Sequence, residues 1–195
     1  MPLYLPPSAD EYGKYEQGLL GGSAPYTGFP RTNMTKAASG GDLAALATGV
    51  MTGSYVWLYA GQVVNRIAVV TGATAGATLT HEWAAIYAVG GGSLGAQSTD
   101  SVVASVAANT LLEYVMSAAY TAPQDGMYPV AIMFAGTTVP SLRGSTEGTG
   151  SIAGPALTGF TTLKHGWTSG SALTTTAPAS ITPVVKVTVP QFWVY

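Results

Sequence analysis

The chain has 195 residues, 47% of them hydrophobic and only 8% charged, with seven Lys and Arg against nine Asp and Glu for a net charge of -2; soluble domains usually carry about 25% charged residues. That apolar supply suits one packed core, while the lack of any basic run excludes the cationic footprint that nucleic acid requires. The absence of cysteine excludes disulfides, thiolate chemistry and cysteine-ligated metals, and a surface so poor in charge points to cover by neighbouring subunits.

Residues 1–40 read as an extended N-terminal arm ahead of a β domain over 41–195. Pro2, Pro6, Pro7, Pro25 and Pro30 are interspersed with glycines and show little periodicity, and proline resists the interiors of both helices and sheets. Tyr4, Tyr12, Tyr15, Tyr26 and Phe29 are too apolar for a solvated linker, so they are the expected assembly contacts. Thirty such residues, extended, would span roughly 100 Å. The opening MPLYLPPSADEYGKYEQ has prolines and acids where a secretion signal needs a basic start and an apolar run, so no such signal is expected. Glycine, serine and threonine interrupt every apolar run, so no membrane span is expected either.

From about residue 41, short apolar runs alternate with Gly/Thr/Ser/Pro turns, the pattern of an all-β sandwich. The spacing predicts strands over 54–59 (SYVWLY), 63–70 (VVNRIAVV), 80–89 (THEWAAIYAV), 111–117 (LLEYVMS), 126–135 (GMYPVAIMFA) and 183–189 (PVVKVTV), all rich in the β-branched and aromatic residues that suit a pleated surface. In THEWAAIYAV, His81, Trp83 and Tyr87 share one face. Glu82, Ala84, Ile86 and Ala88 share the other, which is expected to be the more deeply buried. Arg66, inside an apolar run, implies a buried pairing or an edge position. Over 98–116 the apolar residues also recur at near-helical spacing, but Asn109, Thr110 and the valines favour a loop followed by a strand. The loops 71–78, 136–140 and 144–155 are small-residue and nearly uncharged, suited to tight subunit contacts or exposed tips. The terminal QFWVY reads as a last core strand.

Residues 86–98, IYAVGGGSLGAQS, satisfy two chemical patterns. Gly90, Gly92 and Gly95 spell GxGxxG, which binds pyrophosphate only where a strand opens into a helix within a parallel βαβ unit. Gly91, Ser93 and Gly95 spell GxSxG, which makes a nucleophile elbow only in a strand-turn-helix with later acid and histidine partners. No α/β order surrounds them, so the glycines are expected to supply the positive φ angles of a hairpin loop. His81 and Glu82, being adjacent, fall on opposite strand faces and do not form a metal pair. Glu82, Asp100, Glu113 and Asp125 could converge as paired carboxylates. The chain is expected to be no enzyme and to need no cofactor.

Several passages resemble β-sandwich structural proteins of tailed bacteriophages of actinobacteria: the VTG-to-THEW stretch from Val70 to Trp83, the AIYAV strand, the AANT turn at 107–110, and AYTAPQDGMYPV, similar to that family's hairpin. The resemblance covers roughly residues 60–143. Pro129 stands where the family usually has an aromatic, and Val89-Gly90 replaces its usual acidic turn. The resemblance implies a virion structural protein of the decoration or minor-tail type, with no catalytic residues, and favours strand over helix at 110–117. The combined expectation is a single antiparallel β-sandwich, jelly-roll-like, with the N-terminal arm. It acts in the virion as a homo-oligomer, a trimer by guess, against the major capsid or tail protein, and is made in the host cytoplasm. The competing expectation is a fibre-like tail protein that binds host carbohydrate through a tryptophan, with Trp167 the candidate glycan contact.

Overall fold

The computed structural model describes residues 31–34, 40–89, 92–146 and 165–195. The described chain is antiparallel β throughout. Its strands are β1 (Arg31–Thr32), β2 (Gly41–Asp42), β3 (Val50–Leu58), β4 (Val63–Val70), β5 (Gly76–Tyr87), β6 (Leu94–Gln97), β7 (Ser105–Val106), β8 (Leu111–Thr121), β9 (Gly126–Thr138), β10 (Arg143–Thr146), β11 (Gly166–Ser169), β12 (Val184–Lys186), β13 (Thr188–Pro190) and β14 (Phe192–Val194). A large sheet runs β12-β11-β3-β9-β5-β6, with β7 also on β5; a second runs β1-β14-β4-β8, and a small third runs β13-β10-β2. The all-β sandwich expected from the alternation is the fold observed.

Residues of alternate parity explain the layers. Val56 and Leu58 of β3, Ala84 and Ile86 of β5, and Tyr128, Val130, Ile132 and Phe134 of β9 face the second sheet, where Val64, Ile67, Val69, Tyr114, Met116, Phe192 and Val194 complete the main core. The C-terminal strand is therefore core, as expected, and the 98–116 stretch ends in a strand and not a helix.

Two connections pass from one sheet to the other side by side. The first joins β3 to β4 and the second joins β8 to β9. They are stitched by Gly61 N–H to Ala122 O (2.8 Å), Ala122 N–H to Gln62 O (2.9 Å) and Ala60 N–H to the Asp125 carboxylate (2.7 Å). The β3/β9 ribbon thus folds over at one corner and continues as β4/β8. Here the expected AYTAPQDGMYPV hairpin is corrected, because β8 and β9 belong to different sheets. Tyr128 holds the corner by donating to Gln124 O (2.6 Å) while its ring meets Tyr120 edge-on. Pro129 has a related effect: the β5–β9 ladder ends at the Ile86–Val130 pair, just short of a residue with no N–H to extend it.

The outer face of the large sheet carries a second core of Met51, Trp83, Ala85, Tyr87, Ala131, Met133 and Trp167. Among the described residues no sheet or helix covers it; residues 170–182 cross it as a strap. Trp83 Nε1–H donates to Thr174 O (2.6 Å), the Tyr87 hydroxyl to Pro178 O (3.1 Å) and the Gln97 amide to Thr175 O (2.8 Å), while Leu94 N–H donates to Ala179 O (2.8 Å). This corrects the expectation that one face of β5 would be buried deeper, since every residue from Trp83 to Tyr87 is fully buried. Gly53 makes room for this core: a Cβ there would lie 2.3 Å from the Trp167 ring.

Arg66 also departs from expectation. It lies on the solvent face of an interior strand, not at an edge and not buried, and its guanidinium meets Glu113 at 3.3 Å. The loops at 71–78 and 136–140 are fastened to each other around Asp42 and Ser141, while Ala73, Thr74, Ala75, Thr137 and Thr138 stay exposed. Asp42 accepts from Ala73 N–H (2.9 Å) and from the Ser141 hydroxyl (2.8 Å), and Gly72 N–H donates to Ser141 O. The third loop, 144–155, lies mostly outside the described residues.

Candidate functional site

The glycine-rich segment connects two antiparallel strands, β5 and β6, and is closed by Ala88 N–H donating to Ser93 O (2.8 Å). It turns a corner, as expected, and is followed by a strand. Gly90 and Gly91 lie outside the described residues. Gly92 and Gly95 are not among the residues at positive φ, so for these two the expected reason is corrected. A Cβ at Gly95 would approach the Tyr120 ring to 2.5 Å, whereas one at Gly92 would meet nothing within 4 Å. Gly95 therefore serves the close approach of an aromatic ring from β8.

Of the four carboxylates that could have converged, Glu82 and Asp100 are brought into one neighbourhood, while Glu113 sits on the outer face with Arg66 and Asp125 at the corner. The cause lies in the edge of β5. Beyond β6 the chain runs on along β5, with Ser98 bridging to Met116 of β8 and Ser101 pairing with Glu82 through both backbone bonds (3.0 Å each). That bridge links the edges of the two main sheets. Asp100 then meets His81 on one side of β5, Oδ2 to Nδ1 at 2.8 Å.

Glu82 points the other way, into the space between the sheets. It is 7% exposed, its Oε2 has no hydrogen-bond partner, and it faces the buried Tyr114 phenol. Desolvation pushes its carboxyl above the usual carboxylate range, reinforced by the charge of Asp100 and opposed by the hydroxyl-bearing Tyr114 and Ser101. Burial, and then Glu82, push the Tyr114 phenol up as well. The arrangement favours the protonated form of the Glu82 carboxyl over the charged one. Among the described residues no group of three or more His, Cys, Asp or Glu is placed to hold a metal ion, and no helix is long and apolar enough to cross a membrane.

The surface features matter more for assembly. Tyr4, Tyr12, Tyr15, Tyr26 and Phe29 lie outside the described residues, but the point where that segment joins the fold is well defined. Within the stretch assigned to the arm, Arg31 and Thr32 pair with Val194 and Trp193. The Asn33 amide then clasps the C-terminal strand from both sides, donating to Pro190 O (2.7 Å) and accepting from Phe192 N–H (2.8 Å). Residues 31–34 thus belong to the sheet, which moves the root of the arm N-terminal to Arg31.

Trp167, the candidate glycan contact, is 1% exposed beneath the strap, so its ring cannot stack on a sugar. The exposed tryptophan is Trp57, at 47%. Trp57 is paired across β3 and β9 with Met127, itself 37% exposed. Residue identity did not distinguish these tryptophans; only the path of the strap does. At one edge of the large sheet, β12 exposes Val184 and Val185 as well.

The molecule is thus a strapped antiparallel sandwich whose distinctive surfaces are apolar and whose buried Glu82 faces a phenol. No protein-family model matches the chain and no curated protein matches it.

Proposed function

We propose that the protein is a non-enzymatic virion structural protein of a tailed bacteriophage, joining its particle through the segment N-terminal to Arg31. The observation that carries the assembly role is the root of that segment. A run rich in proline and tyrosine leaves the edge of the β1-β14-β4-β8 sheet from a point fastened by four residues, with Asn33 bonded to both Pro190 and Phe192. An anchored root lets load on the segment pass into a sheet. The low charge suits dry contacts with copies of itself and with a capsid or tail protein. Support for the virion setting is the resemblance over residues 60–143. A short chain with one sandwich and one arm fits a clamp on the capsid surface better than a fibre, so capsid decoration is the reading preferred over a minor-tail position.

The test is incorporation. Purified particles should contain the chain in hundreds of copies by quantitative mass spectrometry, and a variant lacking residues 1–30 should remain folded yet be missing from particles. A count of a few dozen would move the protein to the tail; its absence from particles, or unchanged incorporation of the shortened chain, would remove the reading.

A further inference from the structure

The outer face of the large sheet is covered by the strap only in part. At the end nearest the β3–β4 corner, Trp57 of β3 and Met127 of β9 are paired side by side, at 47% and 37% exposure. Half-buried Tyr55 flanks Trp57 on the same face, and Tyr59 meets the Trp57 ring edge-on with centroids 6.4 Å apart. An exposed row of two aromatic rings and a thioether calls for an occupant.

The chain itself brings one there. The Arg31 guanidinium lies over the Tyr59 ring, 4.8 Å from its centroid. In passing from Thr32 to Arg31 the chain runs alongside β14 from Trp193 toward Val194, and alongside β4 from Ala68 toward Ile67, that is, toward the β3–β4 corner. The thirty residues before Arg31 therefore begin one ring away from Trp57. The six nearest are PYTGFP, residues 25–30. Proline disfavours the helical region for the residue before it, and Ala24 and Phe29 both precede prolines. In a polyproline-type backbone, with three residues per turn, Tyr26 and Phe29 share a face. At about 3.3 Å per residue, Phe29 falls within about 7 Å of Arg31 and Tyr26 within about 17 Å, which covers the span to Trp57. Proline-flanked segments dock on surfaces lined by aromatic rings in this manner, at low entropic cost.

We propose that the Trp57–Met127 pair, flanked by Tyr59, is the seat of residues 25–30 of the same chain, with Tyr26 and Phe29 against the Trp57 ring, leaving residues 1–24 as the part that reaches a neighbour. The inference does not rest on the virion reading and stands or falls separately from it.

The experiment uses the full chain carrying Trp193→Phe, in which Trp57 is the exposed tryptophan because Trp83 and Trp167 are buried. Acrylamide quenching of tryptophan fluorescence is compared with that of the same chain carrying Tyr26→Ser and Phe29→Ser, and circular dichroism verifies that both are folded. The expected result is weak quenching in the parent and a severalfold larger quenching constant in the double variant, independent of protein concentration. Equal, strong quenching in both would show the row to be open and overturn the proposal. Protection retained in the double variant would assign the row to another part of the chain. Protection lost on dilution would assign it to a second copy, and protection gained only with added oligosaccharide to a glycan. Each of these three also overturns it.

Discussion

Glu82 concentrates the energetic cost of this fold in one carboxyl. The folded chain holds its proton more tightly than the unfolded chain does, because ionising the group would place a charge between two sheets with only a phenol and a serine nearby. The sign of the linkage follows: a folded pKa raised above the unfolded one contributes stability that is complete below the unfolded pKa and is lost as pH rises through the folded pKa. Glu82→Gln, which cannot ionise, should therefore raise the urea midpoint at pH 8 relative to the parent and flatten its decline between pH 5 and 8. A parent whose stability does not fall over that range would show that the carboxyl is not held in this way. The groups that face it are Tyr114 from β8, and Ser101 and Asp100 from the strip along β5, with His81 on the far side of β5 paired to Asp100. None of this was legible in THEWAAIYAV beyond the alternation that sets Glu82 opposite His81. Asp100, the partner of His81, is nineteen positions from it and arrives only because the chain turns back at the glycine segment.

Among the elements, the strap decides most. Residues 170–182 contain little that reads as structure, yet they bury the second core by directing backbone carbonyls at Trp83, Tyr87 and Gln97. Trp83→Phe keeps most of the ring and removes the bond to Thr174. It should cost more than the roughly 1 kcal/mol of one hydrogen bond in urea unfolding, because buried ring volume is lost too, and should speed amide exchange at Leu94, whose N–H donates to the strap at Ala179. Unchanged exchange there would mean that the strap is held mainly by other contacts. Most strands were readable: 63–70 matches β4 and others shifted only at their ends, but the single strand expected over 183–189 is divided into β12 and β13, which lie in different sheets. The length of β9 and the existence of β6 were missed, since Gly-Ala-Gln has little strand propensity and pairs only because β5 lies beside it.

Taken whole, the molecule is a ribbon folded at one corner, bridged at its far edge by Ser98 and Met116, and strapped on its outer face. Among the described residues the ion pairs Arg66–Glu113 and His81–Asp100 lie at the surface or rim, so little of the cohesion there depends on charge, and the proposed assembly contacts are uncharged. Raising the salt from 0.1 to 1 M shortens the screening length from about 10 to about 3 Å; particle-bound protein should stay bound across that range in a sedimentation assay, and release by salt would show that charge holds it in place.

The amino-acid sequence by itself determined the fold class and the order of the long strands, because alternation and turn residues act over a few neighbouring positions. Tertiary structure alone decided which tryptophan is exposed, which carboxylate is buried, and that β8 and β9 part into different sheets. Those outcomes depend on contacts between residues tens of positions apart, which no local pattern encodes.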